Sequence, residues 1–148
     1  MAKDLPEGAP VMLRMSVERE SGYLSWLGVQ MDDVEYGAAR LSVPFDDKLT
    51  DQEAAEAVVH NGITTTLMEQ AGELAVRTTL DDPVNDPVEP LNLDTTFLAD
   101  AAHDVTVHAE AVERRAESTV VTITAESKTP SGDRETVARG QGIYRLAD

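Results

Sequence analysis

HNGITTTLMEQAGELAVRTTL, residues 60–80, is the longest stretch of the chain without a turn breaker after its start. It predicts a helix of about 18 residues beginning near Asn61. Ile63, Leu67, Ala71 and Leu74 fall on one side of that helix, with Met68, Gly72, Ala75 and Val76 beside them. Most of its circumference is therefore apolar, and such a helix is expected to be buried. Thr64, Thr65 and Thr66 are poor helix formers, so tertiary packing rather than intrinsic propensity must hold it.

The segments on either side predict strands. Upstream, VMLRMSVERE (residues 11–20) reads as a short helix with Val11, Met12, Met15 and Arg19 along one side, after a frayed terminus over residues 1–9. Leu27, Val29 and Met31 alternate with polar or small residues, and Leu41, Val43 and Phe45 do so again beyond Tyr36-Gly37, which predicts a hairpin. Downstream, DDPVNDPVEP places three prolines between residues 83 and 90 and reads as a loop. Four alternating segments follow, LNLDTTFL, VTVHAEAV, TVVTITAES and ETVARGQGIYRL, with no second helix between them, so an antiparallel meander is expected. The order of elements is that of the α+β hotdog fold: one long central helix wrapped by a curved antiparallel sheet of about six strands, with a short N-terminal helix. A sheet wrapped on one helix leaves its edge and one helix flank uncovered, so a homodimer, or a dimer of dimers, is expected.

Composition bounds the function. The 148 residues are 41% hydrophobic and make one domain over 1–148. No run of about 20 apolar residues occurs, and MAKDLPEG lacks a basic stretch leading into an apolar one, so a cytoplasmic protein without membrane association is expected. There is no Cys, and the three His (His60, His103, His108) are scattered, so neither a disulfide nor a metal site is expected. A formal net charge of −16, with only three Lys, argues against nucleic-acid partners. An acidic surface nearly empty of Lys resembles proteins of cells that keep molar salt inside. At about 1 M salt the screening length is ~3 Å, and self-repulsion is largely silenced.

His60-Asn61-Gly62 followed by ITTTLMEQAGELA resembles the helix motif of the phenylacetate-degradation and 4-hydroxybenzoyl-CoA type of hotdog thioesterases. That helix opens with His-Gly-Gly and carries an acidic residue nine positions after the His, where Glu69 stands here. The segments from residue 27 to 146 are similar in order as well. The resemblance implies acyl-CoA thioester hydrolysis, with a coenzyme A thioester as substrate and no separate cofactor. Glu69 is implied as general base or nucleophile, and the backbone amides of Asn61 and Gly62 after His60 as donors to the oxyanion. Three positions depart from the pattern: Asn61 replaces the first glycine, Ala54 stands near the place of an upstream Asn, and Pro90 lies where a hydroxyl residue often begins the next strand.

Helix geometry constrains the site independently. Nine residues of helix rise about 13 Å and, at ~100° each, put positions 60 and 69 on opposite faces, so the site must be shared between two copies. A helix start offers unpaired N–H groups at the positive end of its dipole. Arg114-Arg115 lies in a turn where the family often places basic residues, and is the candidate phosphate site for coenzyme A. Residue spacing also supports plainer roles: Glu69, Glu73 and Arg77 as a solvated stripe with Glu73 paired to Arg77, Asn61 as an N-cap, and His60 as an orienting residue. Tyr23 and Trp26 read as core or interface. GxSxG, HExxH and GxxxxGK[ST] are absent. The competing functions are a non-catalytic acyl-thioester-binding hotdog protein and a hotdog hydratase or dehydratase.

Overall fold

A computed structural model describes residues 4–50 and 57–146; Ala54 lies outside them. Helices α1 (Ala9–Met15) and α2 (Gly22–Leu27) are joined by a π-helical turn, Ser16–Glu20. The hairpin β1 (Gln30–Glu35) and β2 (Ala38–Val43) precedes the long helix α3 (Asn61–Arg77), which β3 (Val88–Phe97), β4 (Val105–Arg115), β5 (Ser118–Lys128) and β6 (Arg134–Leu146) follow. The six strands form one antiparallel sheet in the order β1-β2-β4-β5-β6-β3. This is the hotdog arrangement. No helix among the described residues is long and apolar enough to cross a membrane.

Four details differ from the sequence reading. Only β4, β5 and β6 form a meander, because β3 lies beyond β6 at the far edge of the sheet. Pro90 belongs to β3 rather than to the preceding loop. An edge strand with a bulge between Pro90 and Asn92 tolerates a residue that has no N–H to donate. At the N-terminus the buried face of the helical segment is Ala9, Leu13 and Val17, four apart, while Val11, Met12 and Met15 are exposed. Leu27 ends α2 instead of opening a strand. Ser21 caps that helix by accepting the Leu24 N–H at 3.2 Å, and Gly28, at φ 82, ends it.

Alternation places one face of the sheet on α3. Leu41, Val43, Val105, Val107, Ala109, Val121, Ile123 and Ala125 are all at most 1% exposed, and they pack against Leu67, Met68, Ala71, Ala75 and Val76 of the helix. Tyr144 of β6 bridges the two layers. Fully buried, it donates a hydrogen bond from its hydroxyl to the Glu69 carbonyl at 2.8 Å. The carbonyl of a helical residue lies beside the residues three and four positions on, and at Gly72 no side chain blocks the approach. A Cβ built there would come within 2.2 Å of the Tyr144 hydroxyl oxygen. On β6, a Cβ at Gly140 would come within 2.2 Å of the Asp94 carbonyl oxygen and 3.1 Å of Met68 Cε.

The two edges of the sheet are treated differently. Met31 of β1 turns its backbone outward, where Glu18 accepts its N–H at 2.8 Å and Arg14 donates to its carbonyl at 3.3 Å. That edge is closed to a further strand at this point. On the opposite edge, Leu91 and Phe97 of β3 are 48% and 43% exposed, with Leu98 at 53% just beyond.

The Tyr144 contact yields a stability test. Gly72→Ala gains about 1 kcal/mol of helix propensity, yet overpacking against a rigid buried ring costs ~1–3 kcal/mol. A net loss is expected, read as a lower denaturant midpoint with an unchanged slope. Tyr144→Phe removes the atom of closest overlap, so the double variant should cost less than the sum of the two single changes.

Candidate active site

The start of α3 is held by side chains that sequence periodicity does not reveal. His60, with φ −59 and ψ 135, is the N-cap, and its Nδ1 accepts the Gly62 N–H at 2.8 Å. The cap is therefore His60 rather than Asn61, because Asn61 already has a helical place as the first residue of α3. The imidazole thus serves the helix start as an acceptor through Nδ1. The bond also occupies the Gly62 amide as a donor. Among the described residues the Asn61 N–H has no acceptor, which makes Asn61 the exposed donor of the pair. Thr65 and Thr66 donate their hydroxyls to the Asn61 and Gly62 carbonyls, each at 2.9 Å, which accommodates threonines within the first turns. Backbone bonds from Val59 to Ala101 (2.7 Å) and from His60 to Leu49 (2.8 Å) anchor the entry.

Glu69 lies half-buried in the middle of α3 and lines a groove of about 570 Å³. The groove runs between α3 and the N-terminal helical segment, with Tyr23 and Leu24 on one wall, Thr66, Glu73 and Arg77 on the other, and Leu93 of β3. Gln70 donates to Glu69 Oε2 at 2.6 Å. Burial, and after it the negative charge of Glu73, push the Glu69 carboxyl above the usual range, while the Gln70 bond opposes them. Burial also raises the Tyr144 hydroxyl far above its ordinary value, so it remains a donor to the Glu69 backbone.

Glu73 and Arg77 form the expected pair, at 3.4 Å, but not on a solvated stripe. Their side chains are 22% and 20% exposed, and both face the groove. Arg77 Nη1 also donates to the carbonyls of Pro83 (3.2 Å) and Asp86 (2.9 Å), which ties the following loop to the helix. Tyr23 and Trp26 are each 54% exposed, so neither is core. Tyr23 reaches across the groove to Thr66 Oγ1 at 3.1 Å; because the Thr66 hydroxyl already donates to Gly62, Tyr23 is the donor. His103 and His108 are exposed.

The remaining candidates lie apart from Glu69. Neither His60 nor Asn61 lines its groove, and eight helical residues separate Asn61 from Glu69 by about 12 Å along the axis. Arg114 and Arg115 end β4 rather than standing in the turn. Arg115 Nε contacts Glu113 Oε1 at 2.5 Å, and Arg114 borders a second cavity of about 390 Å³ together with Glu35, Glu110, Glu113 and Thr79. Thr79 follows the C-terminus of α3, so this cavity is at the opposite end of the helix from His60. Gln70 and Tyr144, which orient the catalytic candidate through its side chain and its backbone, carried no sequence signal beyond ordinary helical and strand periodicity.

Comparison with known proteins bears on the family and the fold. A family model described as the thioesterase superfamily matches residues 56–132. An inferred esterase of Halobacterium salinarum is 36% identical over 131 residues, spanning 86% of this chain and 85% of the relative. Among solved structures, a thioesterase family protein from Silicibacter pomeroyi superposes with a TM-score of 0.79 at 23% identity, covering 94% of this chain and 98% of its own. A thioesterase from Haemophilus influenzae superposes at 0.74 with 18% identity, covering 90% and 87%. At these identities the solved structures speak for the fold, and the family rests on the model and the archaeal relative. The chain belongs to the thioesterase superfamily.

Proposed function

We propose that this protein hydrolyses acyl-CoA or aroyl-CoA thioesters in the cytoplasm, at a site shared between two copies of the chain. The observation that carries the reading is Glu69: a half-buried carboxyl in a groove, held by Gln70 and raised above its usual range. A carboxylate tuned toward neutrality suits a general base. Glu69 takes a proton from water as the water oxygen bonds to the acyl carbon, and the carbonyl oxygen becomes an oxyanion. The Asn61 N–H of the other copy, at the positive end of its helix, receives that charge. Collapse breaks the C–S bond, and the proton on Glu69 passes to the departing thiolate. Direct attack by Glu69, forming an anhydride, would need the same residues, and the acyl-enzyme would then be trapped by hydroxylamine.

Two observations support a homodimer. The single-chain separation of Asn61 and Glu69 leaves each half of the site incomplete, and among the described residues no strand pairs with the outer edge of β3, whereas β1 is capped by Arg14 and Glu18. An edge-to-edge pairing through β3 would cover Leu91 and Phe97. A dimer of dimers remains compatible with the same pairing. For the coenzyme A phosphates we assign Arg114 and Arg115, working against the carboxylates around them, which makes salt screening a condition of binding. The acidity of the chain fits a protein built for a high-salt cytoplasm, and assays belong in molar KCl.

Asn61→Pro tests the donor cleanly. Proline at the first helical position is well tolerated, and the extended backbone of His60 suits a residue before proline, so the change deletes one N–H and keeps the helix. It should lower kcat by about 10²–10³-fold, and Glu69→Gln by ~10²–10⁴-fold. Coexpressing the two inactive variants should restore about a quarter of wild-type activity, because half of the dimers then carry one intact site of two. No restoration would reject the shared site, and no turnover by the wild-type protein on any acyl thioester would reject the hydrolase in favour of an acyl-thioester-binding protein. Replacing Arg114 and Arg115 together by Ala should raise KM for coenzyme A thioesters several-fold while leaving N-acetylcysteamine thioesters, which lack phosphates, unaffected.

A further inference from the structure

Glu73 is the second carboxylate in the Glu69 groove, one helical turn further along the same face. It is not free to swing away. Its Oε1 lies 3.4 Å from Arg77 Nη2, and Arg77 is itself fixed through the Pro83 and Asp86 carbonyls. The guanidinium stands another turn on, so along the helix Glu73 lies between Glu69 and Arg77, and all three line the groove.

We propose that Glu73, anchored by Arg77, is a positioning residue whose charge sets the pH above which the Glu69 carboxylate can accept a proton. The inference rests on the hydrolase reading for its use, although not for its physics.

Like charges four apart on a helix repel, and in a groove partly closed to water the repulsion is screened less than at the surface. The direction agrees with the raised carboxyl of Glu69, in which the charge of Glu73 is the largest contribution after burial. Other groups around Glu69 do not offset it. The N-terminal segment brings Ser16, Ser21 and Tyr23 to the groove, β3 brings Leu93, and the loop after α3 brings Val84, none of them charged. From β6, Tyr144 contacts the Glu69 carbonyl as a neutral donor, and Gln70 works in the opposite sense by bonding the ionised form. Among the described residues Arg77 is the single cation lining the groove, and its contacts go to Glu73 and to the loop.

The test follows the Glu69 carboxyl carbon by NMR in ¹³C-glutamate-labelled full-length protein in 1 M KCl, beside the pH profile of kcat/KM. Glu73→Gln should move both the Glu69 titration midpoint and the acid limb of the profile to lower pH, with the plateau rate within a few-fold of wild type. Glu73→Asp should retain most of the wild-type midpoint. An unmoved midpoint in Glu73→Gln, with chemical shifts showing an intact fold, overturns the proposal. A midpoint that moves in a protein without turnover on any acyl thioester upholds the electrostatic role and rejects the hydrolase reading instead, so the two fail separately.

Discussion

The bond from the Tyr144 hydroxyl to the Glu69 carbonyl is the contact on which the rest of the molecule is registered. A helix lying on a sheet can slide and roll, because dispersion contacts between aliphatic side chains are individually weak and poorly directional. A buried phenol reaching one particular carbonyl is directional. Losing that partner would leave its hydroxyl unpaired in a dry interior, at a cost of ~1–3 kcal/mol. The carbonyl that receives it belongs to the residue whose side chain lines the groove, so the same bond sets both the depth of the helix and the position of the candidate base. Gly72 makes the approach possible, and Gly140 allows Met68 to settle close to β6. These small residues and the tyrosine form one fitted joint.

Around that joint, the N-terminal helical segment does two things. Ala9, Leu13 and Val17 close the core, while Arg14 and Glu18, on the other side of the same turns, occupy the outward backbone of Met31. The segment is therefore a plug on one sheet edge and a wall of the Glu69 groove. It also lies outside residues 56–132, the part matched by the thioesterase model. That matched part holds α3 and three of the six strands, β3, β4 and β5. The wall of the groove facing α3 comes from the N-terminal segment, with Tyr23 bonded to Thr66 across it.

What could be read beforehand follows from the range of each signal. The long helix was legible because its apolar face and the breakers around it lie within one stretch of chain, and its observed bounds, Asn61–Arg77, fall close to the expected ones. The hairpin at Tyr36-Gly37 was equally local. Helix α2 was hidden because Leu27, Val29 and Met31 alternate across a junction; Ser21 and Gly28, its two caps, were the available signal. The place of β3 beyond β6 is a nonlocal choice that alternation alone does not encode, although a proline in the segment pointed to an edge. At the site, Glu69 was visible through a motif, whereas Gln70 and Tyr144 serve it through contacts defined only after folding. Spacing offered Asn61 as a cap and His60 as an orienting residue, beside the resemblance that made the Asn61 amide an oxyanion donor; the cap stands one residue earlier, at His60, and occupies the Gly62 amide, while among the described residues the Asn61 N–H has no acceptor.

The chain's charge of −16 acts differently at long and short range. Exposed carboxylates separated by more than a screening length cease to interact in salt, and at about 1 M that length is ~3 Å, so most of the charge becomes silent toward an anionic substrate. Glu69 and Glu73 stand apart from this averaging because both are partly withdrawn from solvent and share one groove. Screening ions reach them poorly, and their interaction persists where that of the surface does not. Raising the salt therefore does not flatten the electrostatics of the molecule evenly. It removes the far field of the exposed carboxylates and leaves the near field between Glu69 and Glu73. On the proposed assignment, binding and catalysis in a chain this acidic would respond to salt through different residues: binding through the surface around Arg114, catalysis through a pair of carboxylates one helical turn apart.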